Sequence, residues 1–535
     1  MNKTGKVLAF TLALALAVVL GLAACSSGGS KEGSAGGTAG GSSPSGSTAG
    51  ASGGIDTSNF ETVSYVVLGN KPTNGQLEKV MEKVNQIMKE KINAELQFKW
   101  IEWTDWLTKY NLLLASGEPL DLITVGTDWL DTWANAQKGA FLPLDDLLPK
   151  YAPETWKEIP PEDWEQTKYN NKIVMIPEDH YTQWVNHGLM YRGDWAKEFG
   201  ITEPIKDFET IGKYLQGIKD HKPGVVPFDA GGTGSLFNGY VNSTTDALEL
   251  SVPAGLTTMQ VFFAKSYDEK YTAYSPIFDD TMINFAKLMK EWGDKGYWRE
   301  DALNFKGNTS DELLAGKTGL YEHHTQTFAG MRTQMDLKQP GSELQFFPFG
   351  ITRGNLISMP ITHGGTSVGA HSKHPERALM AYELIRQNKE VYQLINYGIE
   401  GVQYEIKDGK RVLPEGYDQA RDQFYTDFWG GRVDKFEIPD ANTWSGVYDI
   451  YKEYDKIKKP YPYGRFVFDQ TPVRSELAAI TQVVSQYGPA ISWGKAGDPV
   501  QAVEDFRSKL KAAGYDKVLA ELQKQLDAYK KLVEG

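Results

Sequence analysis

The side chains best suited to chemistry in this chain are a few carboxylates, imidazoles and large rings set beside glycines. Gly126-Thr127-Asp128-Trp129-Leu130-Asp131-Thr132-Trp133 follows a short apolar stretch and places a carboxylate next to an indole. Glu322-His323-His324 ends another such stretch, and Tyr181 and Trp184 lie in the irregular segment Glu178-Asp179-His180-Tyr181-Thr182-Gln183-Trp184. Glu400 stands in Tyr397-Gly398-Ile399-Glu400-Gly401, Trp444 in a polar loop, and Phe468 immediately before Asp469. Ionised carboxylates accept hydrogen bonds from hydroxyls, imidazoles donate or accept them, and indole and phenol rings offer an apolar face with a polar tip. That set suits stacking on sugar rings and binding their hydroxyls. Each residue also has a plainer reading. Trp129 and Trp133, four apart, suit the packing of a helix start. Tyr181 and Trp184 suit hinge packing, Glu322-His323-His324 a solvated loop, and Glu400 a turn cap.

Covalent chemistry finds less support. Gly365-Thr366-Ser367-Val368-Gly369 has the spacing of a nucleophile elbow, with His363-Gly364-Gly365 placed like an oxyanion loop. The elbow needs a helix directly after its serine, and Gly369, His371 and Pro375 postpone one. Gly316-Lys317-Thr318 has the form of a phosphate-loop tail, but Asp311 occupies the position of the leading glycine. Gly231-Gly232-Thr233-Gly234 lacks the third glycine of a dinucleotide fingerprint, since Phe237 stands there. The adjacent His323-His324, and His371 with His374, lack zinc-ligand spacing, and no acidic calcium loop with its glycine occurs. No metal or other cofactor is expected. A glycosidase would pair Asp128 with Glu322 or Glu400, but spacing alone does not support that pairing.

The elements that must position these residues belong to a chain of 535 residues with a net charge of −13. That balance opposes nucleic acid, which needs a basic face. Cys25 is the only cysteine, so no disulfide is available to hold the fold. It closes Leu22-Ala23-Ala24-Cys25 after an uncharged run from Val7 to Ala24 and the basic Lys3 and Lys6. This is the pattern of a bacterial lipoprotein signal. It predicts cleavage after residue 24, a lipid on Cys25 (a diacylglyceryl thioether with palmitate-type acylation), and attachment to the extracellular face of the cell membrane. Residues 26–54 are nearly all Gly, Ser, Ala and Thr. Such a tether of roughly 30 residues has a root-mean-square reach of about 30 Å. The remaining part, about 480 residues, is too long for one core, so two or more lobes are expected.

Strand and helix patterns alternate from there. Val63–Leu68, Leu96–Trp100 and Asp121–Val125 read as strands. Helices at 76–92 and 104–115 separate them, the first with Leu77, Val80, Met81, Val84, Ile87 and Met88 at helical spacing. This order predicts a parallel sheet covered on both faces. Further strands are read at 172–177 and 188–192, helices at 205–220, 280–293 and 375–387, and amphipathic helices at 472–487 and 499–533. Ser372 is a possible N-cap, with Pro375 near the first helical position.

Six segments resemble, in order, the bacterial extracellular solute-binding family that includes maltose-binding protein. They are Leu114-Ala115-Ser116-Gly117-Glu118-Pro119-Leu120-Asp121-Leu122-Ile123, Phe141-Leu142-Pro143-Leu144-Asp145, Lys172-Ile173-Val174-Met175-Ile176-Pro177, Met190-Tyr191-Arg192-Gly193-Asp194-Trp195, Ala315-Gly316-Lys317-Thr318-Gly319-Leu320-Tyr321, and Ser372-Lys373-His374-Pro375-Glu376-Arg377-Ala378. The stretch 396–404 with the C-terminal helices resembles a Gram-positive lipoprotein subgroup of that family. The resemblance implies an α/β, two-lobed, type II periplasmic-binding-protein-like fold. Each lobe is then expected to hold a mainly parallel sheet flanked by helices, with crossing strands between the lobes. Expected boundaries are 1–24 for the signal, 25–57 for the lipidated cysteine and linker, 58–177 with 351–410 for one lobe, and 178–350 with 411–535 for the other. It further implies a monomeric, non-enzymatic receptor that hands an oligosaccharide to an ABC permease. Asp128 aligns with the family's hydroxyl-binding acid, Glu322-His323-His324 stands where the family often has an aromatic platform, and Phe468 lies near another of its rings. A receptor for a peptide or other solute and a surface glycoside hydrolase are the alternatives.

Overall fold

Alternation along β1 (Glu61–Leu68) feeds two apolar layers at once. Val63, Tyr65 and Val67 join one, and Val66 and Leu68 the other. On the first side α1 (Gln76–Ile92) buries Val80, Val84, Met88 and Ile92, a four-residue repeat that makes one helical face. β2 (Ala94–Ile101) then returns parallel to β1. α2 (Trp106–Ala115) covers the opposite side through Tyr110, together with Ile123 and Val125 of β3 (Leu122–Val125). Strands covered on both faces need near-continuous apolar runs, which is how β1 and β3 read.

The computed structural model describes residues 55–534 apart from 105, 179–186, 230–235, 255–258, 306, 355, 427 and 429. The signal, Cys25, the Gly/Ser tether, Tyr181 and Trp184 lie outside the described residues. The first sheet has the order β2, β1, β3, Gly365–Val368, Ile176–Pro177. The three labelled strands are parallel, and Gly365–Val368 runs antiparallel to both its neighbours. Helix Pro375–Gln387 adds Ala378, Leu379, Tyr382 and Ile385 to the core. Its N-cap is His374, not Ser372; the Ser372 hydroxyl donates instead to Asp121 at 2.6 Å.

The second lobe is built on strands Leu320–His324, His187–Arg192 and Leu344–Pro348, with His187–Arg192 central. Both pairings are antiparallel, so the parallel arrangement expected in each lobe holds only in the first. Helices Phe208–His221 and Asp280–Asp294 pack Phe208, Tyr214, Phe285 and Trp292 onto this sheet. The C-terminal helices Arg474–Ser492, Pro499–Ala512 and Tyr515–Glu534 bury Ile480, Val484, Phe506, Leu510, Leu522 and Leu526 in the same core. They complete that lobe. Each such fully buried side chain contributes about 1.5–3 kcal/mol of transfer free energy.

Three crossings connect the lobes. The first runs from Ile176–Pro177 to His187–Arg192, and the second from strand Leu356–Ile357 to Gly365–Val368. The third leaves Glu437, whose carboxylate accepts from the Tyr392 and Tyr397 hydroxyls, and reaches Trp444, which packs on Phe328. Two expected boundaries therefore shift. Residues 351–357 stay with the second lobe, because Leu356 packs on Tyr454 and pairs with Lys458. Residues 411–440 stay with the first, because Phe428 lies in its core and the Gly430 carbonyl accepts from Thr366 and Tyr382.

Candidate functional site

On the first lobe the chain turns sharply after β3. A Cβ at Gly126 would lie 2.2 Å from the Trp129 indole nitrogen and 2.4 Å from the His363 carbonyl, so only glycine fits. The Thr132 hydroxyl donates to the Gly126 carbonyl at 2.8 Å, and the Gly126 N–H donates back to that hydroxyl at 3.0 Å. The loop is tied to the second crossing. Thr127 N–H donates to the Thr362 carbonyl at 3.0 Å, and the Trp129 indole donates to the His363 carbonyl at 2.6 Å. His363 Nδ1 lies 2.9 Å from both oxygens of Asp128. Trp129 also packs against Trp106, with ring centroids 5.6 Å apart. Its packing role and its place beside Asp128 thus coexist.

On the second lobe, strand register sets the site. Glu322, His323 and His324 pair with Leu189, Gly188 and His187, which makes them a strand end and not the solvated loop of the plainer reading. His187 Nδ1 meets a Glu322 oxygen at 2.6 Å, and the His187 ring stacks on His323 at 5.9 Å. His324 caps the helix Thr325–Lys338, its Nδ1 accepting from Thr327 N–H at 3.2 Å. An accepting Nδ1 leaves the proton on Nε2, in a neutral ring.

Charged groups of the two lobes act on one another here. Burial opposes a charge on His187. The Glu322 carboxylate, with Glu249 and Asp128 behind it, outweighs burial and holds that imidazole above its ordinary range. Glu249 is exposed on its strand, yet lost hydration among its neighbours raises it, and Asp128 and Glu322 raise it further; its carboxylate accepts from the Asn242 amide at 3.0 Å. Burial, together with the neighbouring His187, pushes His323 down to about 4. Burial and the His323, His187 and His363 imidazoles hold His324 well below its usual value. Asp128 and His363 belong to the first lobe and the other groups to the second. The His187 side chain is 44% exposed, yet burial is the largest single influence on it. Solvent access combined with many near neighbours fits a position in a wall between the lobes. Tyr461 joins this wall, its hydroxyl pushed up by burial and by the fields of Asp128 and Glu249.

The cleft thus brings together Asp128, Trp129, Glu322, His323 and His324 from the sequence reading. His187, Glu249, His363 and Tyr461 were missed by it. Three expected residues lie elsewhere. Trp444 packs edge-on to Phe328 and carries the Arg332 guanidinium 4.5 Å over its ring. Phe468 is 6% exposed within the second core. Glu400 is in an exposed turn, bridged to Tyr404. Ser367, the serine of the elbow pattern, is fully buried in the middle of a strand and therefore has no nucleophile's position. Among the described residues no three His, Cys, Asp or Glu side chains converge as metal ligands.

Residues 72–379 match the family described as bacterial extracellular solute-binding protein, and residues 462–531 match a domain of unknown function, DUF3502. A carbohydrate ABC transporter substrate-binding protein of Streptococcus pneumoniae is 25% identical over 479 residues, which is 89% of this chain and 92% of that protein. Lipoprotein LipO of Bacillus subtilis is 20% identical over 338 residues, 59% of this chain and 62% of that one. The crystal structure of N-glycan transport solute binding protein (NgtS) from Streptococcus pneumoniae in complex with Man1GlcNAc shares the fold, with a TM-score of 0.68 at 22% identity. It covers 88% of this chain and 100% of that one.

Proposed function

The chain belongs to the bacterial extracellular solute-binding proteins, and on that footing we propose that its interlobe cleft captures an oligosaccharide and presents it to the permease of an ABC importer. It is a receptor and not an enzyme. The observation that carries the reading is the field of Asp128, on the first lobe, acting on His187 and Glu249 of the second. Sugar hydroxyls donate to the carboxylates, and the neutral His323 and His324 rings exchange hydrogen bonds without adding charge. Trp129 and Tyr461 offer ring faces, and Tyr181 and Trp184 on the first crossing are proposed to add to them. Closure of the two lobes about the crossings excludes water and completes the contacts. Support for the ligand class comes from the carbohydrate importer relative and from the neighbour solved with Man1GlcNAc. The receptor acts as a monomer on the extracellular face, held by a lipid on Cys25; the relation to a lipoprotein supports the anchor.

The test is a thermal-shift and calorimetric titration with mannosyl-N-acetylglucosamine, fructan and uronate oligosaccharides, and with peptides of similar size. A saccharide at about 100 times its Kd stabilises the protein by roughly 2.7 kcal/mol. A shift with peptides alone overturns the oligosaccharide reading.

A further inference from the structure

Glu178 closes the first lobe's contribution to the first crossing, and its surroundings are unusual. The residue is 4% exposed, and neither carboxyl oxygen has a hydrogen-bond partner among the described residues. Its backbone N–H donates to the Gly364 carbonyl at 3.1 Å, and the strand pairing Pro177 with Gly365 continues that register. The carboxyl lies directly on Gly364. A Cβ there would be 2.3 Å from Oε2 and 2.8 Å from Oε1. Glu178 therefore touches the second crossing one residue from His363, which holds both Asp128 and the Trp129 indole. Charged groups face it from two directions. Arg386, on helix Pro375–Gln387, is fully buried and donates to the Pro177 carbonyl at 3.1 Å. Arg432 lies on the segment leading to the third crossing. Tyr65 and Tyr382 complete the surroundings, and burial pushes both hydroxyls up, so neither ionises before it.

We propose that Glu178 is a positioning residue for the ligand site: as a neutral acid it seats Gly364 and His363 of the second crossing, and its ionisation unseats them and loosens the Asp128–Trp129 wall. A carboxyl buried without partners favours its neutral form. Burial raises Glu178 to about 8, against the opposing fields of Arg432 and Arg386. Ionised, the carboxylate has to reach an arginine or water, and either move disturbs its contact with Gly364. The link to ligand capture rests on the cleft reading above; the coupling of Glu178 to His363 does not.

The test is a pH titration of the histidine-labelled protein by NMR, with the His363 signal assigned through His363→Asn. In the wild type the His363 signal shifts in a step near pH 8. Glu178→Gln, which keeps the neutral shape, removes that step. Arg432→Gln, which removes an opposing positive field, moves it to higher pH, so a second variant answers if the first does not fold. A step unchanged in either variant, or a His363 signal flat between pH 7 and pH 9, overturns the proposal. Man1GlcNAc binding, followed in parallel, weakens about tenfold per pH unit above the step in the wild type and stays level in Glu178→Gln. If Man1GlcNAc does not bind at all, the function proposed above is the claim that suffers, and the NMR step still decides the coupling.

Discussion

Nδ1 of His363 lies 2.9 Å from both oxygens of Asp128, and the carbonyl of the same residue accepts the Trp129 indole at 2.6 Å. A residue of a crossing segment thus fixes two side chains that β3 delivers. Hydrogen bonds to charged groups contribute about 1.5–3 kcal/mol. His363→Ala is expected to weaken saccharide binding tenfold or more while the protein stays folded, as read by calorimetry. In the double variant with Asp128→Ala the losses fall short of additive, because both act through one contact. Additive losses would separate the two residues.

His187 and His323 give the protein opposite pH responses. His187 is raised from 6.5 by Glu322, Glu249 and Asp128, although burial opposes its charge. Its protonated form is favoured in the folded state, so its stabilisation is present below pH 6.5 and fades as pH rises through the raised value. Thermal midpoints of wild type and His187→Gln should therefore differ most below pH 6.5 and converge as pH rises through the raised value. His323 is lowered to about 4, so its contribution is present above pH 6.5 and is lost as pH falls toward 4. Acid scans of His323→Gln should show a shallower decline than the wild type. A His187→Gln gap that is constant with pH contradicts the ion-pair account.

Phe468 separates packing from binding. Its ring is in the second core with Leu522 and Leu526. Phe468→Ala is expected to cost about 3–5 kcal/mol in urea denaturation. Saccharide affinity, measured well below the midpoint, should stay within a factor of two. A selective loss of affinity would return Phe468 to the ligand site.

The first lobe was readable because its strands are covered on both faces. That burial writes Val63–Leu68 and Leu122–Val125 as nearly continuous apolar runs, interrupted only by Ser64 and Thr124, and α1 carries its core face at helical spacing. Direction in the second lobe was not readable. Leu320–His324 and Leu344–Pro348 are short, and nothing local states that they pair antiparallel to the same strand. Asp128 and Glu322-His323-His324 stood out because each ends an apolar strand. His187 is a single polar residue opening its strand, and Glu249 sits on a strand of two residues, so neither leaves a pattern. His363 was visible only inside a failed nucleophile motif, whose serine proves to be strand core. Phe468 and Trp444 were drawn toward the ligand by residue type; tertiary packing uses Phe468 as a core ring and lays the half-buried Trp444 against Phe328.

The most direct test of the central claim is small-angle scattering of the protein with and without the saccharide that binds most tightly by calorimetry. A receptor that shuts its two lobes on that saccharide shows a smaller radius of gyration on saturation, and Asp128→Ala loses both the binding and the contraction. Tight binding with an unchanged radius in solution, or contraction that persists in Asp128→Ala, would contradict capture between the lobes.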